Sequence, residues 1–369
     1  MPSVLCILDM LDPTQPNACG YIRLFLPLTK KIMEDTFDVH FVTLEDLPYF
    51  TADVVITQRT VINTSEKADR LLAYCRNTGA RFVFDLDDDL LSMPEYHPER
   101  RYYDEFASIA LRLIAGADEF WVATQALADR FAGIAQRISL VPNEIDDRIW
   151  HTRRDDVLVS RRPVRFLYMG TSTHRPDFER LIEPAWSKLV SKFGKKIELD
   201  LIGVVDDANP DAEWNIVRRP AAIGNSYPAF ATWLQNLQTI RNYDVGLAPL
   251  LDNAFNRCKS DLKWLEYSAM GLATIAANLP AYSQSIEHER TGLLVSADAN
   301  GFHEAMHRLI VDSELRQSLK RNASRVVEEK RFAARTAEPR LERLLELTGR
   351  PNRNECKEKS QCAGSISNM

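Results

Sequence analysis

The chain has 369 residues, which at roughly 150 residues per domain predicts two domains and some surplus rather than one small module. Its 46 lysine and arginine residues against 52 aspartate and glutamate residues give a formal net charge of −6. This balance argues against nucleic acid as the main partner. Hydrophobic residues make up 45% and charged residues 27%, which is typical of a globular protein and argues against a fibrous or largely disordered chain.

The cysteines and the N-terminal segment bear on the compartment. Six cysteines are scattered without a Cys-x-x-Cys pair, which favours a reducing environment over a disulfide framework or a zinc site. The first residues carry no basic leader, and no window of 18 uninterrupted apolar residues follows. We therefore expect a soluble, cytoplasmic protein, with peripheral contact to the inner face of the membrane left open.

The first part of the chain alternates short strand-like segments with longer segments of helical periodicity. This alternation is typical of a parallel sheet covered by helices, and it predicts a first Rossmann-like domain over residues 1–147. The predicted strands are 4–8, 37–42, 54–57, 81–84, 120–123 and 138–141, and the predicted helices are 21–33, 66–76, 103–115 and 125–131.

Residues 148–163 interrupt this rhythm and are predicted to form a linker. The segment 148–165 is rich in arginine, with Arg148, Arg153, Arg154, Arg161, Arg162 and Arg165. It could be a solvated hinge or a phosphate-binding stripe, and both alternatives stay open.

A second alternation predicts another Rossmann-like domain over residues 164–349, followed by a disordered tail over 350–369. The predicted strands are 164–169, 197–202, 245–248, 273–276 and 293–295, and the predicted helices are 178–193, 229–240, 261–270 and three more between 302 and 347. The fold class is thus α/β, with two doubly wound domains facing a central cleft. Ligands of such folds bind at the carboxyl ends of the strands.

The predicted helix over 261–270 carries a charged stripe formed by Lys259, Lys263 and Glu266 beside its apolar stripe. This pattern fits the wall of a cleft, although an ordinary surface pair of lysine and glutamate would give the same spacing. Ser260 is a candidate N-cap. Lysines near a helix start can neutralise a diphosphate, and a carboxylate one turn later can accept two hydrogen bonds from a ribose diol.

The segment 244–295, with the run Lys-Ser-Asp-Leu-Lys-Trp-Leu-Glu at its centre, resembles the donor-binding domain of GT-B glycosyltransferases. The closest resemblance is to the retaining bacterial enzymes often called family 4, or glycosyl transferases group 1. It continues more weakly at 117–127 and 141–146. In this family a glutamate that matches Glu266 holds the donor ribose. A second glutamate is common eight positions earlier, where this chain has Cys258.

The resemblance implies a GT-B fold and transfer of a sugar, with retention, from a nucleotide diphosphate sugar. The implied acceptor is a glycan, a lipid-linked molecule or another hydroxyl compound, as in polysaccharide biosynthesis, and neither a cofactor nor a bound metal is implied. The cysteine at position 258 leaves two alternatives open. One is a non-catalytic scaffold that binds nucleotide sugars, and the other is a GT-B nucleotide-sugar epimerase.

The turn after strand 164–169 is a predicted anion site, because free N–H groups and Pro176 mark the start of a helix there. Gly170 and Thr171 would let the backbone approach donor phosphates. Arg175 best matches a basic residue that contacts these phosphates in the resembling enzymes, the alternative being a local ion pair with Asp177 or Glu179.

In the first domain, Gly20 lies where the resembling family has a glycine-containing loop against the diphosphate. Arg23, one turn later, is expected to face the cleft. A plain turn without a ligand explains the same residues.

Four aspartates, Asp85, Asp87, Asp88 and Asp89, follow an apolar strand. Crowded carboxylates repel one another unless cations or N–H groups compensate. They could bind a divalent metal, orient or deprotonate an acceptor hydroxyl, or cap the next helix. Because the resembling family often ends this strand with a His-Asp pair, the resemblance favours Asp87 and Asp88 as acceptor-side catalytic residues.

Overall fold

The computed structural model describes residues 1–12, 14–151, 162–204, 210–211, 215–219, 226–336 and 338–349. Most of the predicted linker and the whole predicted tail over 350–369 lie outside these residues. The strands form two separate main sheets, one over residues 3–140 and one over 164–295. The prediction of two doubly wound α/β units is confirmed.

The first sheet has six strands, and all of its neighbouring strands are parallel. In spatial order they are Asp38–Phe41, Ser3–Ile7, Val54–Gln58, Arg81–Leu86, Glu119–Val122 and Ile138–Leu140. Every residue of Val54–Gln58 is buried, as expected for a central strand covered by helices on both faces. The main covering helices are Ser65–Thr78, Arg100–Gly116 and Gln125–Phe131.

The helix predicted over 21–33 is divided. It begins earlier, because the side chain of Asn17 caps the backbone N–H of Gly20, and it continues over 18–28 with a wide turn at Tyr21–Phe25. Lys30 is extended, and a separate short helix spans Lys31–Glu34. Pro27 has no N–H to donate to the preceding turn, which favours such an irregularity.

The second sheet has seven strands. In spatial order they are Pro210–Asp211, Ile216–Arg219, Ile197–Ile202, Val164–Met169, Val245–Ala248, Ala273–Ala277 and Leu293–Val295. All pairs are parallel except the first. The strand Ile216–Arg219 was missed because its four residues include two arginines and give no apolar run.

Helices cover both faces of the second sheet. They comprise a helical stretch over 175–193, then Tyr227–Arg241, Ala254–Arg257, Leu262–Ala269, Pro280–Ser283, Ala299–Val311, Ser313–Lys330 and Ala333–Thr336.

The helix Glu338–Leu347 packs on the first sheet, so assigning all of 164–349 to the second domain was wrong. Leu344 and Leu345 are buried in one cluster with residues of the first sheet such as Val4. Arg340 pairs with Glu144 at 2.5 Å, and both side chains are buried. Periodicity predicted a helix here but carried no information about the sheet that it would cover.

The arginines of the predicted linker that the structure describes form ion pairs within the protein. Arg148 pairs with Asp146, Arg162 with Asp244, and Arg165 with Glu198. Arg153, Arg154 and Arg161 lie outside the described residues. The described arginines therefore do not form a stripe of uncommitted charge.

Candidate functional site

The loop after strand Val164–Met169 is shaped by a histidine. A Cβ atom on Gly170 would lie 2.9 Å from the ring of His174, so glycine makes room for this imidazole. Thr171, the next residue, is exposed, and its hydroxyl lies 2.7 Å from that of Thr173. Close approach at Gly170 was predicted for a ligand, but the observed neighbour is His174.

His174 joins this loop to the helix Leu262–Ala269. Its Nδ1 lies 3.0 Å from Oδ2 of Asp177, and its Nε2 lies 3.2 Å from Nζ of Lys263. Burial and the charge of Lys263 lower the pKa of His174 to about 3, so the imidazole is neutral at physiological pH. Burial and the charge of Lys259 lower the pKa of Lys263 to about 8.

Glu266 lies one turn after Lys263 and is only 4% exposed. The hydroxyl of Tyr227 donates to its Oε1 at 2.9 Å and accepts a hydrogen bond from Nε1 of Trp150. Burial raises the pKa of Glu266 to about 7, while the bond from Tyr227 and the charge of Lys263 act in the opposite direction. The sequence thus correctly predicts a helix that brings a lysine and a carboxylate to one side.

Lys259 and Ser260 precede this helix instead of belonging to it. The helix begins at Leu262, and Ser260 does not cap it; the Ser260 hydroxyl accepts a hydrogen bond from Asn143 at 2.9 Å. Asp261, at the cap position, binds Arg331 through both carboxylate oxygens. Ion pairing has therefore replaced the expected cap.

Lys259 extends toward the first sheet. Its Nζ lies 3.9 Å from Oδ1 of Asp88 and 4.4 Å from the centre of the Phe255 ring. This ammonium group and the aspartate cluster predicted on the opposite side of the cleft are therefore in direct contact.

Cys258 is 5% exposed and packs with Phe255 into the hydrophobic core of the first sheet. Its carbonyl oxygen accepts a hydrogen bond from the hydroxyl of Thr124 at 3.0 Å. Position 258, where the resembling family commonly has glutamate, thus serves as a contact between the two units.

Arg175 forms the alternative local pair considered from its sequence. Its Nε donates to Oε1 of Glu179 at 2.7 Å, and its side chain is 58% exposed. The residue lies at the start of the helical stretch 175–193, but its guanidinium is engaged along the helix surface.

Gly20 and Arg23 differ from expectation. A Cβ atom on Gly20 would lie 2.6 Å from the carbonyl oxygen of Asp9, so the close approach there is to the protein's own backbone. Arg23 does not face the cleft. Its side chain is buried and binds both oxygens of Asp85, at 3.0 and 2.5 Å, and the carbonyl of Val141.

Each of the four aspartates lies beside a basic side chain, and Asp87 and Asp88 share Arg59. Asp85 pairs with Arg23, Asp87 with Arg59, and Asp89 with Arg130. Burial disfavours ionisation of Asp87, but the charges of Arg59 and Arg23 outweigh it and hold the pKa of Asp87 below its usual range. Oδ1 of Asp89 also accepts from the N–H of Leu91 in a turn, whereas the next helix begins only at Arg100.

Capping of the next helix is therefore not the role of this cluster. Among the described residues, no group of three or more His, Cys, Asp or Glu side chains has the arrangement needed to hold a metal ion. Asp87 and Asp88 retain side-chain exposures of 13% and 21%, so neither side chain is fully buried.

Arg59 is a further site residue that sequence reasoning missed. It follows strand Val54–Gln58 and has a positive φ of 44°, a conformation that is unfavourable for a residue with a side chain. Its Nη1 pairs with Asp87 and lies 3.4 Å from Oδ2 of Asp88. A basic residue directly after a buried strand was a signal that could have identified it.

Comparisons with known proteins agree with this architecture. Residues 163–312 match the family model described as glycosyl transferases group 1. No curated protein is significantly similar in sequence to the chain. No helix among the described residues is long and apolar enough to cross a membrane.

Several solved structures are similar over almost the whole chain. HepE from Anabaena in complex with UDP is 13% identical, with a TM-score of 0.63, over 94% of this chain and 100% of HepE. The sucrose-phosphate synthase from Thermosynechococcus elongatus is 14% identical, with a TM-score of 0.66, over 94% and 99%. A glycosyltransferase from Rickettsia africae is 12% identical, with a TM-score of 0.60, over 94% and 98%.

At these identities the solved structures establish the fold alone. The expected GT-B architecture is confirmed. The chain thus has a GT-B fold, and its residues 163–312 are similar to glycosyl transferases group 1.

Proposed function

We propose that the chain transfers a sugar from a nucleotide diphosphate sugar to a hydroxyl group of a glycan or lipid-linked acceptor, with retention, as enzymes of family 4 do. The observation that carries the proposal is that Lys263 and Glu266 lie one turn apart on one helix, with Lys263 in contact with His174 of the loop 170–174. This arrangement offers a cation for phosphate and a carboxylate for a ribose diol. Structures of HepE with UDP and with UDP-glucose support a nucleotide-sugar donor.

On the donor side, Lys263 and Lys259 would stabilise the charge that develops on the departing diphosphate as the anomeric carbon becomes oxocarbenium-like. The backbone N–H of Thr171 would add a hydrogen bond, whereas the N–H of Gly170 already donates to the carbonyl oxygen of Ile202 at 3.0 Å. Arg175 would contribute only after leaving Glu179, and because that pair is exposed, its separation costs about 1 kcal/mol or less.

On the acceptor side, Asp87 and Asp88 would orient the attacking hydroxyl group. The ionised Asp87 is held by Arg59, which leaves Asp88, in contact with Lys259, as the carboxylate adjacent to the donor half. The leaving group would be stabilised by protein cations without a resident metal, so the reaction would be metal-independent.

The first experiment is a thermal-shift screen with UDP, GDP, ADP, CMP and TDP, since a ligand stabilises the fold according to its affinity and concentration. We expect one or more of the nucleoside diphosphates to raise the melting temperature. Lys263→Ala and Glu266→Ala should each weaken that binding about tenfold or more, as expected for losing a charge-assisted hydrogen bond.

Lys31→Ala is the matched control, because Lys31 is 82% exposed and pairs only locally with Asp35. A flat response to all five nucleotides, or unchanged affinity in both site variants, would refute the donor site. The two alternatives are separated by turnover. An epimerase would convert the donor without an acceptor, whereas a scaffold would bind the nucleotide and transfer nothing.

A further inference from the structure

His174 is a buried side chain to which the donor chemistry above assigns no role. It lies between the carboxylate of Asp177 and the ammonium group of Lys263, on a loop that Gly170 opens for its ring. Its backbone is also fixed, because the hydroxyl of Tyr168 donates to its carbonyl oxygen at 3.3 Å. The imidazole is therefore held by two side chains, and the backbone that carries it is held by a third.

The hydrogen bonds determine which ring nitrogen carries the proton. Oδ1 of Asp177 accepts from the backbone N–H of Leu251 at 2.8 Å, and Oδ2 faces Nδ1 of His174 at 3.0 Å. A carboxylate can only accept, so Nδ1 of the neutral imidazole must be the donor. Nε2 then has a lone pair directed at Lys263, and the ammonium group is its donor at 3.2 Å.

This arrangement fixes the lysine without neutralising it. Among the described residues, no carboxylate is in ion-pair contact with Lys263, so the imidazole orients the ammonium group while leaving its charge and two N–H bonds for another acceptor. A carboxylate in this place would compete with a phosphate for the same cation.

We propose that His174 is a positioning residue that directs the ammonium group of Lys263 at the diphosphate of the donor, with Asp177 fixing the required tautomer. The inference rests on the proposed function, because it needs a nucleoside diphosphate at Lys263. In this inference Lys263 supplies the positive charge, and the pair Asp177 and His174 determines where that charge lies.

Two substitutions at His174 separate its two nitrogens. In His174→Gln the amide oxygen can occupy the region of Nε2 and accept from Lys263, whereas in His174→Asn the shorter amide reaches only the region of Nδ1. Calorimetric titration with UDP should give a dissociation constant raised about tenfold or more for the Asn variant, as for Lys263→Ala. The Gln variant should stay within about threefold of the wild type because it keeps the acceptor.

Titration with uridine distinguishes positioning from a general structural effect. Uridine has no phosphate, so its affinity should be the same in the wild type and in both variants. Equal loss of uridine and UDP binding in His174→Asn, or UDP binding as tight as in the wild type, would overturn the inference. Failure of the Gln variant to retain affinity would also overturn it.

Asp177→Asn provides a test that leaves the imidazole in place. The amide oxygen can still accept from Leu251, but the amide N–H₂ then faces Nδ1 and requires the other tautomer, in which Nε2–H opposes Lys263. We expect the same selective loss of UDP affinity, and unchanged affinity would overturn the role given to Asp177. If the wild type binds UDP but the His174 and Asp177 variants do not show the expected affinities, the inference about His174 fails and the proposed function stands. If the wild type binds no nucleoside diphosphate, the proposed function fails first.

Discussion

Replacement of Arg23 tests whether this residue belongs to the stability of the first unit or to the donor site. Arg23→Met keeps much of the apolar volume and removes the guanidinium, which makes two hydrogen bonds to Asp85 and one each to the carbonyl of Val141 and the side chain of Asn143. Neither Arg23 nor Asp85 is exposed to solvent. The variant therefore leaves a buried carboxylate without its cation.

Breaking such a pair from one side costs about 3–5 kcal/mol, because the remaining charge is neither solvated nor paired. At about 2–4 °C per kcal/mol for a unit of this size, the first unfolding transition should fall by roughly 10 °C. Arg23→Met/Asp85→Leu removes both charges and should recover most of this loss. UDP affinity, measured well below the transition, should remain within about twofold of the wild type, because Arg23 does not reach the cleft.

Urea and thermal unfolding followed by circular dichroism measure the loss. Arg101→Ala is the control, since Arg101 forms a fully exposed pair with Glu105 and its removal should cost only a few tenths of a kcal/mol. The reasoning is refuted if Arg23→Met is as stable as the control, or if it folds normally and has lost UDP binding.

Four other expectations concern pH, position 258 and metal ions. UDP should bind most tightly between about pH 7 and pH 8, because Glu266, with a pKa of about 7, is ionised above this interval's lower end and Lys263, with a pKa of about 8, is charged below its upper end. A calorimetric profile that is flat from pH 6 to 9 would contradict this expectation. Because the raised pKa of Glu266 disfavours ionisation in the folded state, the wild type should lose stability relative to Glu266→Gln as pH rises from about 4.5 to about 7, as melting temperatures would measure. Cys258→Glu would bury a carboxylate near Asp88 and Asp89, so it should lower the melting temperature by several degrees without raising turnover of UDP-glucose. Cys258→Ala should change the melting temperature less. Faster turnover in Cys258→Glu would contradict the contact role of this position. Millimolar EDTA should leave the transfer rate within about twofold of that with Mg²⁺, and a loss that Mg²⁺ restores would refute metal independence.

The sequence was sufficient for the elements that apolar patterning specifies. The strands Val164–Met169, Ile197–Ile202 and Leu293–Val295 have the predicted bounds, because apolar residues dominate the first and third and alternate with acidic residues in the second. The helix bearing Lys263 and Glu266 was also predicted, since its periodicity is local.

Contacts between distant segments could not be read from local patterns. His174 and Lys263 are separated by 89 positions, and neither has a spacing that identifies the other. The burial of Arg23 depends on Asp85, which lies 62 positions away. The sequence pattern placed both Lys263 and Arg23 at the cleft, but Arg23 is buried against Asp85, and only the packed structure distinguishes such a structural cation from Lys263.

Because helix Glu338–Leu347 packs on the first sheet, the first unit depends on a segment that follows the second unit in the chain. A fragment that ends at residue 163 would expose the apolar surface that Leu344 and Leu345 cover, and would leave Glu144 without Arg340. During synthesis the first unit cannot complete its core until the second has been made. An exchange of the first unit between proteins of this fold would therefore require two grafts, one at residues 1–147 and one at 338–349.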